Sequence, residues 1–272
     1  MVKISAYIPC FNSADTIART INSIRQQTVP VSELFLIDDG SSDNSAGIAE
    51  AMDLKVIRLE HNKGRGFVRS LAMQEAAHEL VFCCDSTKQV CPNFIENCLP
   101  WFNDESVAAV RGHFVLPEIT SVAQRWASRH IYREQENFIR SSNASFISAA
   151  AMVRKSVIMK LGNFNPSLEH SEDRAMSEAI LAAGYQVGFS PELEVYPIGA
   201  DSIVAVLERF WRWNRGVGKK YTVWGYWQDT KYALKVMVPH DLRDHDFQSA
   251  LLSLLSPQYR LLKSINFFDV AE

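Results

Sequence analysis

From its third residue the chain switches repeatedly between two hydrophobic rhythms. Short runs rich in β-branched and aromatic residues predict strands: "KISAYIPC" (3–10), "SELFLIDD" (32–39), "LKVIRLE" (54–60), "ELVFCCD" (79–85) and "VAAVRGHF" (107–114). Between them lie "SADTIARTINSIRQQT" (13–28), "NSAGIAEAM" (44–52), "GRGFVRSLAMQEAA" (64–77) and "PNFIENCLPWF" (92–102). Their apolar residues recur at helical spacing, and Ser13 or Asp15 is the candidate cap of the first helix. Strands alternating with helices of this length predict βαβ units, hence an α/β fold with a mostly parallel sheet flanked by helices. Right-handed crossovers bring the carboxyl ends of the strands to one edge, where open α/β sheets bind ligands.

After about residue 115 the rhythm breaks. "SVAQRWASRHIYREQENFIRSS" (121–142) reads as irregular or helical and rich in charge. "ASFISAAAMVRKSVIMKLGNF" (144–164) predicts a strand and a short helix closed by Gly162. "SEDRAMSEAILAAGYQVGFSP" (171–191) predicts a helix ending at Gly184 and leading into a strand. A shift in composition near residue 200 divides the chain into domains 1–200 and 201–272. The second is read as a helical, basic, Trp-rich extension, with four of the six tryptophans between 206 and 235. "QDTKYALKVMVPHDLRDHDF" (228–247) reads as a solvated connector, and "SALLSLLSPQYRLLKSI" (249–265) is apolar enough to pack on the core or on a second subunit.

Composition narrows the class without naming it. Apolar residues make up 47% and charged residues 22% of the 272, which argues against disorder. A net charge of −3 gives no electrostatic case for nucleic acid. The N-terminal "MVKISAYIPC" lacks the pattern of a signal peptide, and no run approaches the ~20 apolar residues that span a bilayer. Five cysteines without paired C-x-x-C spacing read as buried reduced thiols. Together these predict a cytoplasmic protein.

Three carboxyl-end loops concentrate the chemistry: "IPCFN", "IDDGSSDNS" and "CCDST". Asp38 and Asp39 are placed to accept from a ribose hydroxyl or a base N–H. Equally, Asp39-Gly40 is ordinary turn chemistry, with Ser41, Asp43 or Asn44 capping the next helix. No G-x-G-x-x-G follows the first strand, and no Walker loop or G-x-S-x-G elbow is present. Glu172-Asp173 at a helix start suits a general base, or a charge pair complementing the helix dipole.

In succession, "YIPCFNSADTIARTINSIRQQT", "ELFLIDDGSSDNS", "HNKGRGFVRSLAMQEA" and "VFCCDST" resemble the signatures of family-two, GT-A-fold glycosyltransferases. "FISAAAMVRKSVIMKLGNFNPSLEHSEDRAMSEAILAAGYQVGFSPELEVYP" resembles the acceptor half of that family, so the likeness covers roughly residues 3 to 198. It implies a GT-A-like (Rossmann-like) fold and transfer of a sugar, with inversion, from a nucleotide-diphosphate sugar to a carbohydrate or lipid-linked acceptor hydroxyl. Uridine is the commonest base among such donors.

Carried over, Pro9, Phe11 and Asn12 would border the nucleoside and Asp39, with Asp38, would hold the base. Gly64 and Arg69 would line the nucleotide pocket, with Lys63 and Arg65 near its phosphates. Asp85, Ser86, Thr87 and Lys88 would face the ribose or diphosphate. Asp173 would be the general base, with Glu172 beside it orienting or binding acceptor. "RFWRWNRG" resembles a basic-aromatic segment of some members, so Arg212, Trp213 and Arg215 are candidates for acceptor or diphosphate.

Two departures stand out. The pattern puts a metal-contacting Asp at position 87, where this chain has Thr87, followed by Lys88. Many members of the resembled family carry a His near the end of "PELEVYP" that can ligate the metal, and here Pro197 stands near that place. A divalent cation, Mn or Mg, would retain only Asp85 as a carboxylate ligand, so the cations Lys88, Arg212 and Arg215 are expected to share the neutralising of the diphosphate. The other reading is a non-catalytic nucleotide or glycan binder on a degenerate GT-A fold. For the Trp-rich extension three readings stand: a lid over donor or acceptor, a helix in a membrane interface, or packing against the sheet.

Overall fold

The structure, a computed structural model, describes residues 2–116, 119–132, 141–199, 202–214 and 221–264, without the side chains of 212–214. The chain forms two compact units, Met1–Val115 with Phe138–Gly199, and Leu116–Asn137 with Ala200–Glu272. One break between the units falls at 199–200. The segment from Leu116, inside the span read as the first domain, belongs to the second unit.

The first unit holds β1 (Ile4–Cys10), β2 (Glu33–Asp38), β3 (Lys55–Arg58), β4 (Leu80–Cys84), β5 (Lys88–Val90), β6 (Val107–Phe114), β7 (Ala150–Arg154) and β8 (Gln186–Pro197). They form one sheet in the order β3-β2-β1-β4-β7-β6-β8-β5. β1 pairs in parallel with β2 and β4, β2 with β3, and β6 with β8. β7 runs antiparallel to both β4 and β6, and β5 antiparallel to β8. The sheet is therefore mixed, with six strands sharing one direction and β7 and β5 reversed. The three-residue β5, immediately after "CCDST", has no counterpart in the predicted elements.

Helices cover both faces. α1 (Ile17–Arg25) buries Ile17, Ile21 and Ile24 completely, at the four- and three-residue spacing that puts them on one side. Each contributes about 1.5–3 kcal/mol of burial. Neither Ser13 nor Asp15 caps it: the N-cap is Thr16, and the Ser13 hydroxyl is engaged with Ser86 and the Phe11 carbonyl. α2 (Ser45–Ala51) and α4 (Phe94–Cys98) complete the predicted set. α3 (Arg65–Glu75), α6 (Lys155–Lys160) and α7 (Glu172–Ala182) supply Val68, Met73, Ile158, Met176 and Ile180 to a core that also contains Tyr7, Phe35 and Val81. All five cysteines are buried and free.

The second unit contains α5 (Val122–Ala127), α8 (Ile203–Asn214), α9 (Val223–Tyr232), α10 (Val238–Arg243) and α11 (Phe247–Ser264). The span read as a solvated connector instead carries Asp241, fully buried, which accepts from Arg129 and Ser253 and pairs with His130. Its partners lie more than a hundred residues away or in the following helix, so the local pattern of acids and histidines could not reveal the burial. Trp224 and Trp227 are 71% and 64% exposed. Among the described residues no helix is long and apolar enough to cross a membrane.

Candidate active site

The carboxyl ends of β1, β2 and β4 meet through side-chain to backbone bonds that fix their loops. Asp39 N–H donates to the Cys10 carbonyl at 2.8 Å. Asn12, held at φ +46°, accepts from Ser42 N–H at 2.9 Å, and its own N–H donates to the Ser41 hydroxyl. Ser13 N–H donates to Ser45, and the Ser13 and Ser86 hydroxyls lie 2.8 Å apart. Ser86 is thus buried scaffold: its carbonyl also accepts from Thr16 and Thr20. Phe11 is 42% exposed beside these loops and Pro9 is partly exposed.

The two aspartates of β2 and its loop divide their work. Both oxygens of Asp39 accept backbone N–H groups, from Lys63 at 2.8 Å and Gly64 at 3.0 Å. Burial raises its pKa, and those two bonds offset the rise only in part. Asp38 uses Oδ1 for Ser41, while its Oδ2 accepts no hydrogen bond among the described residues. Asp38 therefore has one carboxylate oxygen without a partner among the described residues, while each oxygen of Asp39 already accepts one backbone N–H.

The start of α3 is locked against the loop before α7. Gly64 has φ +83°, and an added Cβ would lie 2.7 Å from Glu169 Cα. The N–H groups of Arg65 and Gly66 donate to the Glu169 and Leu168 carbonyls. Two of the amides that a helix start offers an anion are therefore already used.

At the centre lies Arg69, 1% exposed. Its Nε donates to Glu172 at 2.8 Å and one terminal nitrogen donates to Asp85 at 2.8 Å. The other reaches Cys83 Sγ at 2.7 Å and Tyr7 at 3.4 Å. Arg69 is thus an internal clamp joining the end of β4 to the start of α7. Glu172, 2% exposed, is held by the clamp and turned away from solvent. Burial pushes Cys83 up to about 12, leaving it a neutral thiol. Burial also acts to raise Asp85, but Arg69, Arg65 and Lys88 prevail and hold it below the ordinary carboxylate range.

Asp173 follows Glu172 on α7, entered through Ser171 in the left-handed conformation at φ +65°. Its surface is partly exposed, yet protein surrounds the carboxyl closely. That burial, then the charge of Glu172, pushes it up to about 6 against the opposing effects of Arg69, Arg174 N–H and Arg65. Arg65 is exposed and acts on both Asp85 and Asp173. Its side chain makes no hydrogen bond or ion pair among the described residues.

Thr87 and Lys88 lead into β5. Lys88 is buried, with Nζ 3.3 Å from Thr87 Oγ1 and 5.8 Å from the Phe114 ring centre. These residues make a poor cation site: the one carboxylate, Asp85, is ion-paired with Arg69, and the Thr87 hydroxyl accepts from an ammonium. Among the described residues no group of three or more His, Cys, Asp or Glu is arranged to hold a metal. Lys63 lies over Phe67, 4.8 Å from the ring centre. Arg215 and the side chains of Arg212 and Trp213 lie outside the described residues.

Arg111 was missed by sequence reasoning. It is the one arginine of β6, stacked 4.3 Å from the centre of the Phe189 ring, and its buried Nε has no hydrogen-bond partner among the described residues. It lies across β7 from Cys83, through the pairs Arg111–Ala151 and Ala151–Cys83. The visible signal was a guanidinium where the strand pattern calls for an apolar side chain. In the second unit a depression of about 420 Å³ is lined by Arg125, Arg129 and Asp246 among others, but both arginines are already paired with carboxylates.

Hyaluronan synthase of Streptococcus pyogenes is 32% identical over 122 residues, which are 41% of this chain and 29% of that protein. Poly-beta-1,6-N-acetyl-D-glucosamine synthase of Staphylococcus epidermidis is 23% identical over 245 residues, covering 84% of this chain and 57% of the synthase. The chain thus spans between about a quarter and three-fifths of the curated relatives it matches. Among solved structures, S. aureus TarS 1-349 in complex with UDP has a TM-score of 0.56 at 15% identity, covering 100% of this chain and 94% of TarS 1-349. The mannosyltransferase PcManGT of Pyrobaculum calidifontis, in complex with GDP-Man and Mn2+, has 0.57 at 15%, covering 98% and 76%. At that identity the shared property is the fold. The profile of Glycosyl transferase family 2 matches residues 5–162, more than half of the chain, and the chain belongs to that family.

Proposed function

We propose that the first unit transfers a sugar, with inversion, from a nucleoside-diphosphate sugar to the hydroxyl of a carbohydrate or lipid-linked acceptor. Asp173 takes the acceptor proton as the oxygen attacks the anomeric carbon. The bond from that carbon to the diphosphate breaks, and the nucleoside diphosphate leaves with the electron pair. The observation that carries the reading is the Asp85–Arg69–Glu172 clamp, which sets Asp173 at a helix start among like and opposite charges. A base with a raised pKa is better matched to neutral-pH proton transfer than an ordinary carboxylate.

Asp38, with its open Oδ2, is the contact for the base or ribose, and Phe11 and Asn12 border the nucleoside. Asp85 faces the donor with the oxygen that Arg69 leaves. Arg65 and Lys88 flank Asp85 with positive charge, so they carry the departing diphosphate in our account; a bound cation would add the same stabilisation there. Thr87 favours weighing a second reading, a nucleotide or glycan binder without turnover.

Calorimetric titration with UDP, GDP and dTDP, with magnesium, with manganese and with chelator, tests the pocket. Binding of one nucleotide that persists in chelator is expected. Failure of all three to bind overturns the donor assignment, and binding only with metal overturns the roles of Arg65 and Lys88. Asp173→Asn separates enzyme from binder: donor binding should remain while turnover disappears.

A further inference from the structure

The last helix of the second unit is inside out. α11 turns Ser249, Ser253 and Ser256 inward, all at most 5% exposed, together with Ala250 and Leu252. Most of its larger apolar residues point away from the unit: Phe247 is 71% exposed, Leu251 59%, Leu255 47% and Leu262 43%. With Leu254 they fall within an arc of about 100° at 3.6 residues per turn. A helix serving only a water-soluble core would place these residues the other way round.

α9, which packs beside α11, has the same feature with a basic component. Val223, Trp224, Trp227, Lys231, Leu234 and Lys235 recur at one- to four-residue steps through α9 and the turn that follows, and all are exposed. The acidic groups nearby are all ion-paired: Asp229 with Arg260, Asp241 and Asp244 with Arg129, and Asp246 with Arg125 and Arg129. Lys231, Lys235 and Arg243 have no ion pair among the described residues. The unpaired charge beside the exposed apolar stripe is therefore positive.

We propose that the exposed faces of α9 and α11 dock on an anionic lipid bilayer, lying along its surface. Trp224 and Trp227 match the headgroup level, where an apolar ring with one N–H donor is favoured. Lys231 and Lys235 complement anionic headgroups, and the leucines of α11 enter the acyl boundary. The helices lie along the surface because α9 is about 15 Å long and α11 about 27 Å with Arg260 and Lys263 near its end, against a hydrocarbon core of about 30 Å. A second copy of the chain would leave the excess of lysine uncompensated on both partners. This inference concerns the second unit and stands apart from the sugar-transfer reading.

The test is flotation of the full 272-residue chain with phosphatidylcholine vesicles, with and without phosphatidylglycerol. The chain is expected to float with the anionic vesicles and to be released by salt. Lys231→Glu with Lys235→Glu should lower that partition at least about tenfold, as should Leu251→Glu with Leu255→Glu. All four positions are exposed, so thermal melts of the variants should match the parent. Failure of the folded parent to float with anionic vesicles overturns the proposal. So does a dimer in light scattering that Leu251→Glu with Leu255→Glu converts to monomer without any vesicle binding. Flotation that the substitutions leave unchanged overturns it as well.

Discussion

Arg69→Met removes the one cation that holds Asp85 and Glu172 together, and keeps much of the side-chain volume. Two carboxylates, 17% and 2% exposed at the side chain, then lose their shared partner. Breaking a buried pair by removing one member costs about 3–5 kcal/mol, because the remaining charge is left buried and uncompensated. For a chain of this size that corresponds to roughly 6–20 °C in melting temperature. The pH dependence has a definite sign. Asp85 is held below its ordinary range, so its share of stability is fully present above the unfolded value of about 4 and lost as pH falls through the lower folded value. Parent and variant should therefore differ most near neutrality and converge in acid. Differential scanning calorimetry across that range is the assay. A variant melting within about 1 °C of the parent at neutral pH, roughly what 0.5 kcal/mol would move, would refute the clamp as the structural centre of the site.

Two further substitutions test separate parts of the account. Gly66→Ala brings a Cβ to 2.2 Å from the Asn165 carbonyl oxygen and 2.6 Å from that of Leu168, so chemical denaturation should show a loss of about 1–3 kcal/mol; a neutral effect would mean that α3 is not locked to that loop. Asp173→Asn should stabilise the fold by on the order of 1–2 kcal/mol above the folded pKa of about 6, after allowance for partial exposure. Here the folded pKa lies above the unfolded one, so the ionised form is penalised in the native state. The gain should grow from about pH 4, reach its full size above about 6 and be absent in stronger acid; denaturation curves at several pH values measure it.

Much of the first unit is legible in the sequence because its signals are local. The apolar triplet Ile17, Ile21 and Ile24 declares a helix, the alternation with β-branched runs declares parallel pairing, and Asp85 closes an apolar strand. The reversed directions of β7 and β5 leave no mark in their residues, because a period-two pattern carries no polarity. The clamp was equally hidden. Arg69 and Glu172 are 103 residues apart, and only the folded chain joins them. Asp38 and Asp39 are neighbours of one type, so nothing in the sequence says which spends its oxygens on the Lys63-Gly64 turn. In the second unit the pattern misleads for a physical reason: α11 presents leucines outward and serines inward, so hydrophobicity there does not report burial.

The claim that Asp173 is the general base is tested most directly by the pH profile of kcat/KM with the cognate donor, for the parent and for Asp173→Asn. The proposal requires the ionised carboxylate, so kcat/KM should rise with pH and level off above about 6, and it should fall by about 10²-fold or more in the variant at the plateau while donor affinity is kept. A parent profile already flat from about pH 4.5 upward, or a variant that turns over at the parental rate, would contradict it.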